Sequence, residues 1–323
     1  MFGYILRRFL YMIPMMFLIS VVCFVVIKLQ PGEFGSQYFE NPRVSAEAVI
    51  ALRHRLGLDR PAYEQYLYWV KGIVTRGDFG YSFAYKRPVG ELIWERMAWT
   101  VAVSSLSILF TWLVAIPVGI YSATHRYSIG DHLLTFFGFI GISIPSFFLA
   151  LALIYLVVST GGTAVGGLFS PQYIGQPWSW AKFVDMMNHL WIAVIAIGTA
   201  GTASLLRQMR SNLLDVLGAQ YVTTARAKGL SERVVIYKHA VRNAINPLIS
   251  IFGMELPEVI SGTIISSIVL NLPTIGPFFY DALLNHDQYL VMTFLMLSAF
   301  LMQIGNLLAD ILLAWADPRI TYQ

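Results

Sequence analysis

Residues 133–181, LLTFFGFIGISIPSFFLALALIYLVVSTGGTAVGGLFSPQYIGQPWSWA, carry no charged side chain over about 49 positions. As one helix at 1.5 Å per residue they would be about 73 Å long, more than twice the ~30 Å hydrocarbon layer of a bilayer. The run is too apolar for water and too long for one crossing, so it must break. Gly161, Gly162, Gly166 and Gly167, followed by Pro171, mark where helix is least favoured. A span near 133–158 follows, with a polar-aromatic loop after it. Outward from this stretch, uncharged runs recur at 9–27, 97–124 and 190–206, with further spans at about 248–270 and 289–315. The expected fold is an all-α integral membrane protein with six transmembrane helices.

Composition agrees. The chain has 323 residues, 57% hydrophobic and 12% charged, against about 45–50% and about 25% in soluble domains. A water-soluble enzyme is excluded, and a net charge of +4 is too small to indicate nucleic acid. The single cysteine, Cys23, rules out an internal disulfide or a CxxC pair. The six histidines are scattered without ligand spacing, so neither a metal site nor a catalytic residue is expected. Arg7 and Arg8 precede the first span, but its apolar run is longer than a signal-peptide core and no A-x-A-like site follows; a retained helix is expected.

Basic residues set the orientation. With the N-terminus in the cytoplasm, the inside segments hold eleven Lys and Arg residues, while the two short outside loops (about 159–189 and 271–288) hold only Lys182. Ten more lie between Lys28 and Arg96, in or beside a loop long enough to escape the charge rule. Both termini are therefore expected in the cytoplasm. Within the long outer loop, Ser45 and Gly57 bracket one helix, and Asp59 with Pro61 opens another whose apolar face is Tyr63, Tyr66, Leu67, Val70 and Val74. It is either a cap on the helix ends or a docking element for something arriving from outside.

The longest inside segment, 207–247, reads as a helix–turn–helix. Leu213, Leu214, Leu217, Tyr221, Thr224 and Ala225 share a helical face. Lys228-Gly229-Leu230-Ser231 is a stop and restart: Gly229 suits a left-handed position, Leu230 can fold back, and Ser231 can cap a second helix from Glu232 to about Ile245. Small residues at the tip, Ala225, Ala227 and Gly229, permit close approach of a partner. In the fifth span Glu255, Pro257 and Glu258 either line a translocation path or lock helices together, since a carboxylate at the bilayer centre must face protein or water.

Thr223-Thr224-Ala225-Arg226-Ala227-Lys228-Gly229-Leu230 and Arg242-Asn243-Ala244-Ile245-Asn246-Pro247 resemble the cytoplasmic "EAA" loop of the B-type permease subunit of dipeptide/oligopeptide/nickel ABC importers. Further likeness lies in Leu56-Gly57-Leu58-Asp59-Arg60-Pro61, Gly77-Asp78-Phe79-Gly80-Tyr81-Ser82, Ile144-Pro145-Ser146-Phe147 and Asp317-Pro318-Arg319-Ile320. Threonines stand at the Glu and first Ala positions of the general pattern. The resemblance implies a type I ABC importer permease in a prokaryotic inner membrane. Its parts would be an N-terminal transmembrane helix (1–30), an extracytoplasmic helical loop (31–96) and a five-helix core (97–323).

It further implies that Tyr221, Thr224, Ala225, Arg226, Ala227, Lys228, Gly229, Leu230 and Ser231 form a coupling loop. Implied partners are a second permease subunit, two ATPase subunits and an external binding protein, in lipid and without nucleic acid. ATP and Mg would sit on the ATPase subunits; this chain has no Gly-Lys dipeptide and so no phosphate loop. Peptides are the implied cargo. Oligosaccharides, suited to an outer loop with Trp178 and Trp180, or nickel are alternatives. An ion-coupled secondary transporter using Glu255 and Glu258, and an intramembrane hydrolase, are readings of other classes.

Overall fold

The computed structural model describes residues 2–29, 45–56, 59–163, 165–252 and 264–316. In chain order the elements are α1 (Phe2–Lys28), α2 (Ala46–Leu56), α3 (Ala62–Arg76), a two-residue hairpin β1 (Tyr81–Ser82) and β2 (Arg87–Pro88), α4 (Val89–Thr124), α5 (Ile129–Ser143) and α6 (Ser146–Ser159). They continue with α7 (Trp180–Leu217), α8 (Gln220–Ala227), and α9 (Glu232–Val234), which runs through a π-helical segment Val235–Val241 into α10 (Arg242–Ala244). Residues 246–252 are helical, and α11 (Ile264–Val269), α12 (Ile275–Leu284) and α13 (Gln288–Ala316) follow. Among the described residues, four helices (α1, α4, α7, α13) are long and apolar enough to cross a membrane, and the bent pair α5–α6 brings the number to five if it counts as one. The span expected over 248–270 falls partly outside the described residues.

The chain divides into two compact units, Met1–Thr100 with Pro273–Gln303, and Val101–Leu272 with Ile304–Gln323; α4 and α13 contribute to both. In the first unit, the apolar face expected on α3 is not the one that packs. Tyr63, Leu67 and Val74 are exposed, and Gln65, Trp69 and Gly72 are buried. Polar partners decide this: the Gln65 amide donates to the Arg60 carbonyl at 2.7 Å, and the Trp69 indole donates to the Phe79 carbonyl at 3.1 Å. Of the expected face, Tyr66 reaches α1, its hydroxyl 2.8 Å from that of Ser20 and its ring edge-on to Phe24. Asp59 does not cap α3 but pairs with His54 at 2.9 Å; Pro61 occupies the cap without a side-chain bond.

The hairpin is fastened by a buried carboxylate. Asp287 accepts from the Ser82 hydroxyl at 2.5 Å and the Ala84 amide at 3.3 Å. It also caps α13 by accepting from the Leu290 amide. Burial pushes this carboxyl above its ordinary value, against the pull of those hydrogen bonds.

In the second unit, the single span expected near 133–158 is two helices bent by 104°. Pro145 has no N–H to donate and pushes Ile144 out of helical geometry, to φ −91° and ψ 120°. Both pieces pack on α7. The expected span 190–206 is likewise corrected. With Ser179 accepting from the Lys182 amide at its start, α7 runs 38 residues, about 57 Å. That exceeds the hydrocarbon layer, so 207–217 is a rigid continuation of the span and not loop. It lies close against α4: a Cβ on Gly119 would stand 2.8 Å from that of Met209 and 3.1 Å from the Leu206 carbonyl.

Candidate functional site: the loop helix and its seat

Gly218 and Ala219 end α7 and start α8, so the periodic face expected to run from Leu213 to Ala225 is interrupted. Three residues apart on the new helix, Val222 and Ala225 turn inward. They join a buried cluster with Met209 and Leu213 of α7, Val235 and Ala240 of the π-helical segment, Ala244, Leu248, and Ala115 and Ala123 of α4. The core of the spans thus extends without a gap under the loop. Ala225 is small because α8 lies close on this core, which corrects its expected place at the exposed tip.

The outward side carries the remaining residues singled out in the sequence. Tyr221, Thr224, Arg226, Ala227, Lys228, Gly229, Leu230 and Ser231 are all exposed. Gly229 adopts φ +77°, as the stop signal requires, its amide donating to the Arg226 carbonyl at 2.9 Å. Two expectations fail in detail. Leu230 does not fold back but stands 40% exposed, and the Ser231 side chain makes no capping bond although its backbone has the extended cap geometry. The turn is closed instead by Arg226, whose guanidinium donates to Glu232 at 2.7 Å. That hydrogen bond holds the Glu232 carboxyl below the ordinary glutamate range. From the second helix, Asn243 donates to the Tyr221 hydroxyl at 2.7 Å, and Asn212 of α7 donates to the Ala244 carbonyl at 3.2 Å. The result is a short helix fixed on three sides, presenting two cations, small residues and the apolar Leu230 and Tyr221.

The same unit holds a group of residues that sequence reading missed. Arg210 of α7 forks onto Asp131 of α5, Nε at 3.0 Å and Nη2 at 2.8 Å from its two oxygens. Ser122 of α4 donates to the same carboxylate and accepts from Arg210 Nε at 3.1 Å. The Tyr127 amide adds a donor at 2.9 Å. Asp131 is 2% exposed. The available signal was one carboxylate, three residues after the helix-capping Ser128, at the edge of the uncharged stretch. Glu255, Pro257 and Glu258 lie outside the described residues. In the first turn of α7, Lys182 Nζ sits 4.8 Å from the ring centre of Phe169 and 5.4 Å from that of Trp178, both in the segment before the helix. It also donates to the Gln176 carbonyl at 2.6 Å, so this aromatic pair already holds a cation of the protein's own.

Residues 115–322 match the family described as "Binding-protein-dependent transport system inner membrane component", and residues 1–104 match its N-terminal companion, "Binding-prot-dependent transport system membrane comp, N-term". The chain is similar to the oligopeptide transport system permease protein AppB of Bacillus subtilis (strain 168), 37% identical over 324 residues. It is similar also to the dipeptide transport system permease protein DppB of Escherichia coli (strain K12), 32% over 339 residues. A third relative is the glutathione transport system permease protein GsiC of Shigella flexneri serotype 5b (strain 8401), 30% over 325 residues. In each case the whole of both chains is covered.

Proposed function

Because the chain belongs to the binding-protein-dependent transport system inner membrane component family, and so is a non-catalytic, multi-pass permease subunit of an ABC importer in a prokaryotic inner membrane, we propose that α8 and the turn after it are where an ATPase subunit takes hold. The observation that supports this is the seat of α8: Val222 and Ala225 fix it to the core of the spans, while Arg226, Ala227, Lys228, Gly229 and Leu230 face outward. A push on the outward face therefore enters the spans directly. ATP and Mg belong to two such ATPase subunits. A second, related permease completes the pathway, an external binding protein delivers the cargo, and both termini lie on the ATPase side.

The cargo we propose is a short peptide. Relatives are named for oligopeptides, dipeptides and glutathione, and the Trp178 ring that would suit a sugar is engaged by Lys182. The test places single cysteines at Ala227 and Lys228 in the co-expressed complex and applies a short bifunctional cross-linker. Cross-links to an ATPase subunit are expected; their absence from an assembled, ATP-hydrolysing complex would sink the assignment. Uptake of radiolabelled trialanine against maltotriose, in cells with and without the transporter, tests the cargo.

A further inference from the structure

Apolar contacts such as those of Val222 and Ala225 hold α8 to its seat, but they are non-directional, and helices sliding on them dissipate a push. The Arg210–Asp131–Ser122 group is of another kind. A guanidinium forked onto a carboxylate fixes orientation as well as distance, and drawing the pair apart would leave Asp131 charged and buried. Its three members come from three helices: Ser122 at the end of α4, Asp131 in the first turn of α5, and Arg210 about two turns before the Gly218 break in α7. From Asp131, α5 runs about three and a half turns and ends at the 104° bend at Pro145.

We propose that Arg210, Asp131 and Ser122 are positioning residues forming a clamp that makes the α8-side ends of α4, α5 and α7 one lever. The stroke received by α8 is then delivered through α5 to the bend at Pro145 instead of being absorbed at Gly218. This rests on α8 being the ATPase contact. It predicts that the bend is the part of this unit that changes angle with nucleotide, and that it stops doing so when the clamp is loosened although ATP is still bound and cleaved.

The experiment uses the full transporter complex in nanodiscs, with Cys23→Ser as background and two nitroxide pairs on exposed positions. Gln220, on α8 but outside the proposed ATPase contact, with His132 reports the lever, and His132 with Tyr155 spans the bend. Distances are compared without nucleotide and after trapping with Mg·ATP and orthovanadate. In the unmodified clamp the lever pair keeps one distance in both states, while the bend pair shifts by roughly a helical turn, about 5 Å. Arg210→Lys keeps the charge and loses the fork; it should broaden the lever distance and abolish the bend shift while trapping persists. Ser122→Ala, which removes one donor and leaves the ion pair, should do so partially. A bend pair that does not respond in the unmodified clamp, or responds equally in Arg210→Lys, would overturn the proposal. Failure of the chain to retain any ATPase subunit would overturn the docking assignment and the clamp together.

Discussion

Gly229 stands at φ +77° with nothing within 4 Å of where a Cβ would be. The cost of alanine there is therefore conformational alone, about 1–2 kcal/mol. Gly229→Ala should leave the membrane-embedded chain at normal abundance while it recovers several-fold less ATPase on affinity purification, because Leu230 and Ser231 are re-aimed. Equal recovery would show that the turn's geometry is not what the partner reads. Asp287 gives a residue-level prediction of opposite sign to most carboxylates. Its value is raised by burial, so the native state holds the proton more tightly than the unfolded chain. The stability it lends is complete below the ordinary aspartate value and is lost as pH rises through the raised one. Thermal unfolding in detergent should accordingly shift to lower temperature from acidic to neutral pH, and Asp287→Asn should flatten that slope.

Between elements, the Tyr221–Asn243 hydrogen bond joins α8 to the helix that returns to the membrane. One such bond contributes about 1 kcal/mol. Tyr221→Phe and Asn243→Ala should each loosen the loop by that order, and the double variant should cost no more than either alone, as for any pair acting through one contact. Hydrogen exchange at the α8 amides would measure it. Element boundaries were legible where the signal is local. Gly229 is such a signal, its left-handed turn following α8; Pro145 and Ser179 act as locally, yet the expected spans 133–158 and 190–206 were not divided or begun at them. The face of α3 was not legible: Tyr63, Leu67 and Val74 have the right period, yet Gln65 and Trp69 pack because carbonyls of Arg60 and Phe79 lie within reach. Periodicity says that a face exists; hydrogen-bond partners elsewhere choose which one is covered.

For the whole molecule, the subunit moves cargo but supplies no nucleotide chemistry. Purified alone in lipid it should neither bind nor cleave ATP, and hydrolysis should appear only when ATPase subunits are added; turnover tracking this chain alone through a size-exclusion column would contradict that. The two halves of the proposed coupling machinery differed in legibility. The exposed stretch from Arg226 to Ser231 was readable because its residues are consecutive. The clamp was not, because Ser122, Asp131 and Arg210 are scattered along the chain and meet only in the fold.

What the order of residues settled unaided is that the chain is a multi-pass membrane protein, and its family. Uncharged length against bilayer thickness is one-dimensional arithmetic, and runs of consecutive side chains carry the likeness to importer permeases. What awaited the folded chain is which side chains meet. The fork of Arg210 on Asp131, the burial of Ala225 and the grip of Asp287 on the hairpin join residues far apart in the chain. Each depends on distance and direction in space, and neither is written in spacing along a strand of letters.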